Sequence, residues 1–213
     1  LGGRAGTIGR IKLIRIFIIV IFLLLQSFAS AHQSGSIVPR QAGQYKATVM
    51  REVRYYWGMA ESPSTFMGQI HQESGFREDA KSAFASGLTQ FTPGTAEWIQ
   101  RLYAKDLRET CPSKSGCPLN PKWAIRSMIL YDRRLFNRYP LSIGDERKAF
   151  MLSGYNGGAG HTDRERSAAE KIGLDKEVWF GSVETICLRA KWACDENRQY
   201  PRNILYKLRH HYE

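Results

Sequence analysis

The chain is short of the signals by which a sequence declares a cofactor or a nucleic-acid partner. Its four cysteines, Cys111, Cys117, Cys187 and Cys194, never fall in Cys-x-x-Cys spacing, which argues against a zinc site. There is no glycine-rich phosphate loop and no aromatic ribonucleoprotein motif. His71-x-Glu73 begins the zinc-deaminase pattern, but no Pro-Cys-x-x-Cys follows it. No metal, no cofactor and no nucleic acid are therefore expected. A membrane-spanning run is also missing: the longest uninterrupted apolar stretch, residues 16–25, has ten residues against the ~20 that a spanning helix needs. Internal repeats and series of alternating strands are absent as well.

What the N-terminus does have is order. Arg4, Arg10, Lys12 and Arg15 precede the apolar run, and Gln26-Ser27-Phe28-Ala29-Ser30-Ala31 follows it. A basic start, a short apolar core and small residues at the end fit a secretory signal peptide at 1–31, cleaved after Ala31. Membrane association would arise only if this segment stayed uncleaved. The chain is thus expected to be exported, to the periplasm or cell envelope. Residues 32–44, polar and glycine-containing, read as a flexible leader. Residues 45–213 remain for one domain with a substantial core. Of the +11 formal charge, the first 31 residues contribute four bases and no acids, leaving +7 on the exported part. An exported basic protein suits an anionic polymer such as a bacterial wall, with ordinary solubility as the plainer account of many of these charges.

The pattern along 45–213 is mainly α. Helices are expected over 45–57, from Ser62-Pro63 to a stop at Gly75, and from Thr92-Pro93 to about Tyr103, each proline sitting in a first turn behind a capping side chain. Asn120-Pro121 opens the longest helix, in which Ala124, Met128, Tyr131, Leu135 and Tyr139 recur at helical spacing. Further helical segments are read at 148–155, 182–191 and 201–212.

Four cysteines in an oxidising compartment imply two disulfides, with three connectivities open. Local pairing, Cys111–Cys117 and Cys187–Cys194, is the preferred one. The second pair carries a condition: seven residues of continuous helix would separate its ends by ~10.5 Å, so a helix must end between them.

The chemistry is placed at His71-Gln72-Glu73-Ser74-Gly75-Phe76. Glu73 lies in an apolar setting at a helix C-terminus, where burial and the helix dipole both disfavour the charged form. A carboxyl group kept protonated this way can serve as an acid catalyst. The plainer reading is a solvated glutamate at a helix end. His71, two residues away, is expected to face elsewhere and be structural. The turn at Ser86-Gly87-Leu88-Thr89-Gln90 follows and carries an amide.

Glu73-Ser74, Gly87-Leu88-Thr89-Gln90, Tyr155-Asn156-Gly157 and Glu196-Asn197-Arg198-Gln199-Tyr200 occur in the order seen in soluble-type lytic transglycosylases. The chain resembles that family, glycoside hydrolase family 23 (the SLT domain), whose relatives include the goose-type lysozymes. The resemblance covers roughly Tyr45 to Tyr212, nearly the whole of the exported part. It departs at Thr89, where methionine is frequent, at Gly157, where alanine is common, and at Pro201, where a β-branched residue is usual; the insert around Cys111–Cys117 is also unlike the plainest members.

The resemblance implies a single lysozyme-like helical domain with little or no sheet, acting on peptidoglycan glycan strands, with a monomer favoured. It implies Glu73 as the catalytic acid and then base, Ser74 as its support, Leu88 as a wall of the cleft, and Gln90 and Asn156 as sugar contacts. Gly87 permits the turn, the Tyr155 hydroxyl points at the acid, and Tyr200 either contacts sugar or packs beneath the cleft. Ordinary glycosidases need two carboxylates. Glu78 and Asp79 are the nearest here, in a polar loop where solvation is the plainer fate. The transglycosylase scheme needs only one, because the sugar's acetamido group assists and the product is a 1,6-anhydro sugar. A goose-lysozyme-like hydrolase, or an inactive wall-binding component of a phage or secretion apparatus, are the alternatives.

Overall fold

The computed structural model describes residues 38–213; the expected signal peptide and residues 32–37 of the leader lie outside it. Among the described residues there are eight α-helices: α1 Ala42–Trp57, α2 Ser64–Ser74, α3 Pro93–Leu102, α4 Ala104–Leu107, α5 Pro121–Arg138, α6 Gly144–Gly157, α7 Ala159–Lys171 and α8 Lys191–Asn203. A π-turn at Ile204–Leu208 and a 3-10 turn at Arg209–His211 close the chain. Among the described residues the β-structure is confined to two isolated bridges, Lys81 with Ser86 and Ser86 with Phe91. The mainly α class expected from the sequence holds.

The proline-led starts of α3 and α5 work as the sequence predicts, whereas at α2 Pro63 takes the cap position itself and the helix begins at Ser64. Thr92 accepts the Thr95 N–H at 3.2 Å ahead of Pro93, and Asn120 accepts from Lys122 and Trp123 ahead of Pro121. These caps satisfy backbone donors that no helical carbonyl can reach. At α2 the Ser62 hydroxyl accepts the Ser64 N–H at 3.3 Å. Gly75 ends α2 in the left-handed conformation, φ 59°, which glycine adopts at little cost.

Four expectations fail. The first helix starts at Ala42, within the stretch read as leader, because Ala42 is buried against the core. Residues 182–191 are not a helix: only Val183–Thr185 makes a 3-10 turn, and α8 starts at Lys191. The Cys187–Cys194 disulfide, Cα–Cα 5.7 Å, holds the chain folded back at this point, and continuous helix could not span so short a distance. Pro201 does not open a helix but lies inside α8, just ahead of the π-turn; a missing N–H and a crowded ring favour such local rearrangement. Finally, α7 was not foreseen, since Gly157-Gly158 reads as a stop. The chain does break at Gly158 (φ 86°), then resumes helix one residue later.

The helices surround two apolar clusters. One gathers Val49, Val53, Phe66, Ile70, Ile99 and Met128 from α1, α2, α3 and the first half of α5. The other gathers Leu135, Phe150, Leu152, Trp179, Tyr200 and Ile204 from the end of α5, α6, α8 and the segments around them. Tyr131 and Tyr155 pack against both. Phe91, Tyr131 and Tyr155 form a run of rings with centroids 5.5 to 6.4 Å apart, close enough for favourable edge and offset contacts. This seam is where the cleft opens.

Candidate active site

Glu73 reaches the cleft from the last turn of α2. The cleft, of about 920 Å³, is also lined by Gln72, Gln90, Tyr155, Asn156 and Tyr200, with Glu196, Arg189 and Trp192 on its far wall. Glu73 is part-buried: its surroundings are protein except where the cleft opens. Burial is the main reason its carboxyl is pushed up to about 8 from the ordinary value of 4.5. A hydrogen bond from Tyr200 pulls it down, and the nearby Glu196 carboxylate pushes it up further. Desolvation penalises the ionised form most, so the group carries its proton at neutral pH.

The partner of Glu73 is Tyr200, whose hydroxyl donates to Glu73 Oε1. This corrects the assignment of that role to Tyr155. The Tyr155 hydroxyl donates instead to the backbone oxygen of Thr89 at 2.7 Å, and so ties α6 to the 87–90 turn. Tyr200 lies on α8, is buried, and presents its edge to the cleft. One turn upstream on α8, Glu196 accepts from Asn156 Nδ2 at 3.3 Å. Asn156 Oδ1 in turn accepts from Asn197 at 3.0 Å.

The turn at 87–90 is built for closeness rather than for display. Gly87 has φ +80°, and a Cβ there would lie 1.9 Å from the Pro118 oxygen; only glycine fits. Leu88 is fully buried in the first cluster, so it does not wall the cleft as the resemblance implied. Ser74 is buried too, its hydroxyl donating to the Leu88 oxygen at 2.9 Å, which braces the end of α2 against the turn. Gln90, in the left-handed region at φ 48°, donates from Nε2 to the Gly87 oxygen at 2.9 Å and faces the cleft. Of the expected contacts, Glu73, Gln90, Tyr155, Asn156 and Tyr200 line the cleft; Ser74, Gly87 and Leu88 stand behind it.

His71 faces away, hydrogen-bonded through Nδ1 to the Tyr212 hydroxyl at 2.9 Å, as expected. Glu78 accepts from Tyr45 at 2.9 Å, and neither it nor Asp79 lines the cleft. The second carboxylate in the cleft is Glu196, rather than Glu78 or Asp79, the nearest to Glu73 in sequence. Its place in the same motif as Tyr200, one helical turn apart, was the available signal.

Two features went unseen in the sequence. Behind Glu73, the fully buried Asp132 of α5 accepts from Gln69 Nε2 at 3.3 Å, one turn before Glu73 on α2. Burial pushes its carboxyl well above the usual range. Gln69 Oε1 and Asp132 Oδ2 have no other partner, so a proton on Oδ2 can close a neutral acid–amide pair. The other feature is Arg189, which the Cys187–Cys194 loop carries into the wall. It pairs with the buried Glu165 at 2.8 Å. Its guanidinium occupies the space a side chain at 157 would need: a Cβ on Gly157 would lie 2.1 Å from Nη1. Gly157, a departure from the family pattern, thus accompanies Arg189. Both disulfides pair locally, Cys111–Cys117 with Cα–Cα 5.8 Å. Among the described residues no cluster of metal-ligating side chains occurs.

Residues 55–177 match the family model for the transglycosylase SLT domain. The chain belongs to that family. The helical, lysozyme-like architecture is the one expected for it. Two curated relatives are similar over part of the chain. The membrane-bound lytic murein transglycosylase F of Maricaulis maris (strain MCS10) is 34% identical over 122 residues, 56% of this chain and 24% of the relative. The protein of the same name from Shewanella woodyi (strain ATCC 51908 / MS32) is 36% identical over 74 residues, 34% of this chain and 15% of the relative. The matched part therefore spans a quarter or less of those relatives' lengths.

Proposed function

We propose that this chain is a peptidoglycan lytic transglycosylase that cleaves the β-1,4 bond between N-acetylmuramic acid and N-acetylglucosamine, leaving a 1,6-anhydro-muramic end. The observation that carries the reading is Glu73: a carboxyl group in a cleft, held protonated to about pH 8 by burial and gripped by the Tyr200 hydroxyl. Tyr200 donates to one oxygen, which leaves the acid proton on the other for the glycosidic oxygen. As the bond to the leaving sugar breaks, that proton moves to the leaving oxygen. The substrate's own 2-acetamido group stabilises the cation developing at C1, a known exception to the two-carboxylate rule. The ionised Glu73 then takes the proton of the C6 hydroxyl as its oxygen bonds to C1, which restores the acid. The Tyr200 hydrogen bond steadies the carboxylate between the two steps.

Gln90 and Asn156 are the proposed sugar contacts, while Ser74, Gly87 and Leu88 keep the 87–90 turn against α2. Relatives named as membrane-bound and lytic toward murein support an envelope location, as do the two disulfides. No helix among the described residues is long and apolar enough to cross a membrane. One observation favours a second reading, hydrolysis: Glu196 offers the cleft another carboxylate, which could activate water.

Mass spectrometry of products from purified peptidoglycan tests the proposal. Intramolecular closure gives fragments one water lighter than hydrolysis gives, without a reducing end. Predominantly reducing-end products, abolished by Glu196→Gln, would instead establish the hydrolase; no release at all would leave a wall-binding protein.

A further inference from the structure

The two disulfides lie in opposite surroundings. Cys111 is 1% exposed and belongs to the first apolar cluster, and Cys117 packs against the same cluster. Their loop is pressed onto the core: a Cβ on Gly116 would lie 2.7 Å from the Trp123 ring. Cys187, by contrast, is exposed, and neither it nor Cys194 joins an apolar cluster. The loop between them faces solvent, with Trp192 72% exposed. It is also a wall of the cleft, through Arg189, Ala190, Trp192 and Ala193. Arg189 ties this loop to the site. It pairs with Glu165 and donates to the Gly157 oxygen at 3.4 Å and to Asn197 Oδ1 at 3.3 Å. Asn197 in turn holds Asn156, a proposed sugar contact, at 3.0 Å.

A disulfide exchanges when a thiolate can reach one of its sulfurs and the other sulfur leaves readily. Cys187 meets the first condition. Cys194 meets the second, because it sits in the first turn of α8, where unpaired N–H groups and the helix dipole favour a thiolate. We propose that the Cys187–Cys194 bridge is a thiol–disulfide exchange site by which a protein dithiol of the envelope turns down glycan binding. One thiolate of the dithiol attacks Cys187 Sγ, the bridge breaks, a mixed disulfide forms and Cys194 leaves as the thiolate. The second thiolate closes the dithiol's own disulfide and releases Cys187. Two electrons pass to the bridge, and the dithiol's two protons end on Cys187 and Cys194. Residues 187–193 then line the cleft without their covalent closure, so its far wall loses a fixed shape. The two apolar clusters, to which this bridge contributes nothing, keep the fold. In its effect on wall binding this inference rests on the function proposed above.

The test exposes the native protein to graded dithiothreitol, quenches with N-ethylmaleimide and maps the alkylated cysteines by mass spectrometry, while circular dichroism follows the fold. Cys187 and Cys194 should be alkylated at least about tenfold faster than Cys111 and Cys117. As that bridge opens, co-sedimentation with intact sacculi and release of soluble fragments should fall together by roughly three- to tenfold, and recover on reoxidation. Cys187→Ser/Cys194→Ser should bind at the lowered level with or without reductant. Simultaneous opening of both bridges, or earlier opening of Cys111–Cys117, would overturn the exchange site. Opening of Cys187–Cys194 with binding unchanged would overturn its control of the wall, as would a loss of helical signal in step with it, which would make the bridge merely structural. If the oxidised wild type releases no fragments, the proposed enzymatic function alone fails, because the order of alkylation and the binding to sacculi still decide the inference.

Discussion

Replacing Glu73 with glutamine should abolish turnover and, at neutral pH, make the protein more stable. In the unfolded chain a glutamate titrates near 4.5, whereas in the native state Glu73 titrates near 8. A raised native value means the folded state holds a proton that the unfolded state releases, so stability falls as pH rises from about 4.5 and levels off above about 8. Between 4.5 and pH 7 this linkage costs up to about 3 kcal/mol, at about 1.4 kcal/mol per pH unit. Because the carboxyl opens onto a solvent-filled cleft, about 2 kcal/mol is the expected size. Glutamine has no proton to lose, keeps an acceptor for the Tyr200 hydroxyl, and matches glutamate in shape. For a domain of this size the melting temperature of Glu73→Gln should exceed that of the wild type by roughly 4–8 °C at pH 7. It should match the wild type near pH 4. Scanning calorimetry across pH 4–8, paired with a turnover assay on peptidoglycan, makes the measurement. A difference that stays constant across this range would refute the claim that Glu73 is held protonated, and retained turnover would remove it from the chemistry.

Tyr200→Phe removes the one contact that lowers the Glu73 value; the alkaline limb of the pH–rate profile should move to higher pH while the maximal rate falls, and an unmoved limb would contradict the coupling. Asp132→Asn should be tolerated to within about 1 kcal/mol near pH 5, since the amide supplies both halves of the pair with Gln69; chemical denaturation should also show it gaining on the wild type as the pH rises toward alkaline values, where the buried acid must either ionise or keep its proton at growing cost. Gly157→Ala should displace Arg189 from Glu165 and cost about 1–3 kcal/mol by urea denaturation. Losing the Cys187–Cys194 bridge through paired serines should cost about 2–3 kcal/mol, as a loop this short implies, and should weaken substrate binding because that loop carries Arg189 and leads into Trp192 at the cleft wall.

The sequence by itself determined the helical class, the proline-led starts of α3 and α5, and the end of α2 at Gly75, which sets Glu73 in its last turn. These rest on local rules: a capping side chain must lie within three residues of the donor it satisfies, and apolar spacing of three and four residues fixes which face of α5 is buried. The sequence left three disulfide connectivities open and only the structure settles on the local pairs, although the distance limit did state what Cys187–Cys194 would require: a helix that ends between them. Only the tertiary structure decided which tyrosine serves Glu73. The resemblance pointed to Tyr155, and the choice of Tyr200 depends on α8 meeting α2 from 127 residues away in sequence. The same holds for Leu88, whose burial follows from Ser74 and Pro118 closing on the 87–90 turn, and for the acid–amide pair of Gln69 and Asp132. No pattern within one segment can report a contact whose geometry is set by another.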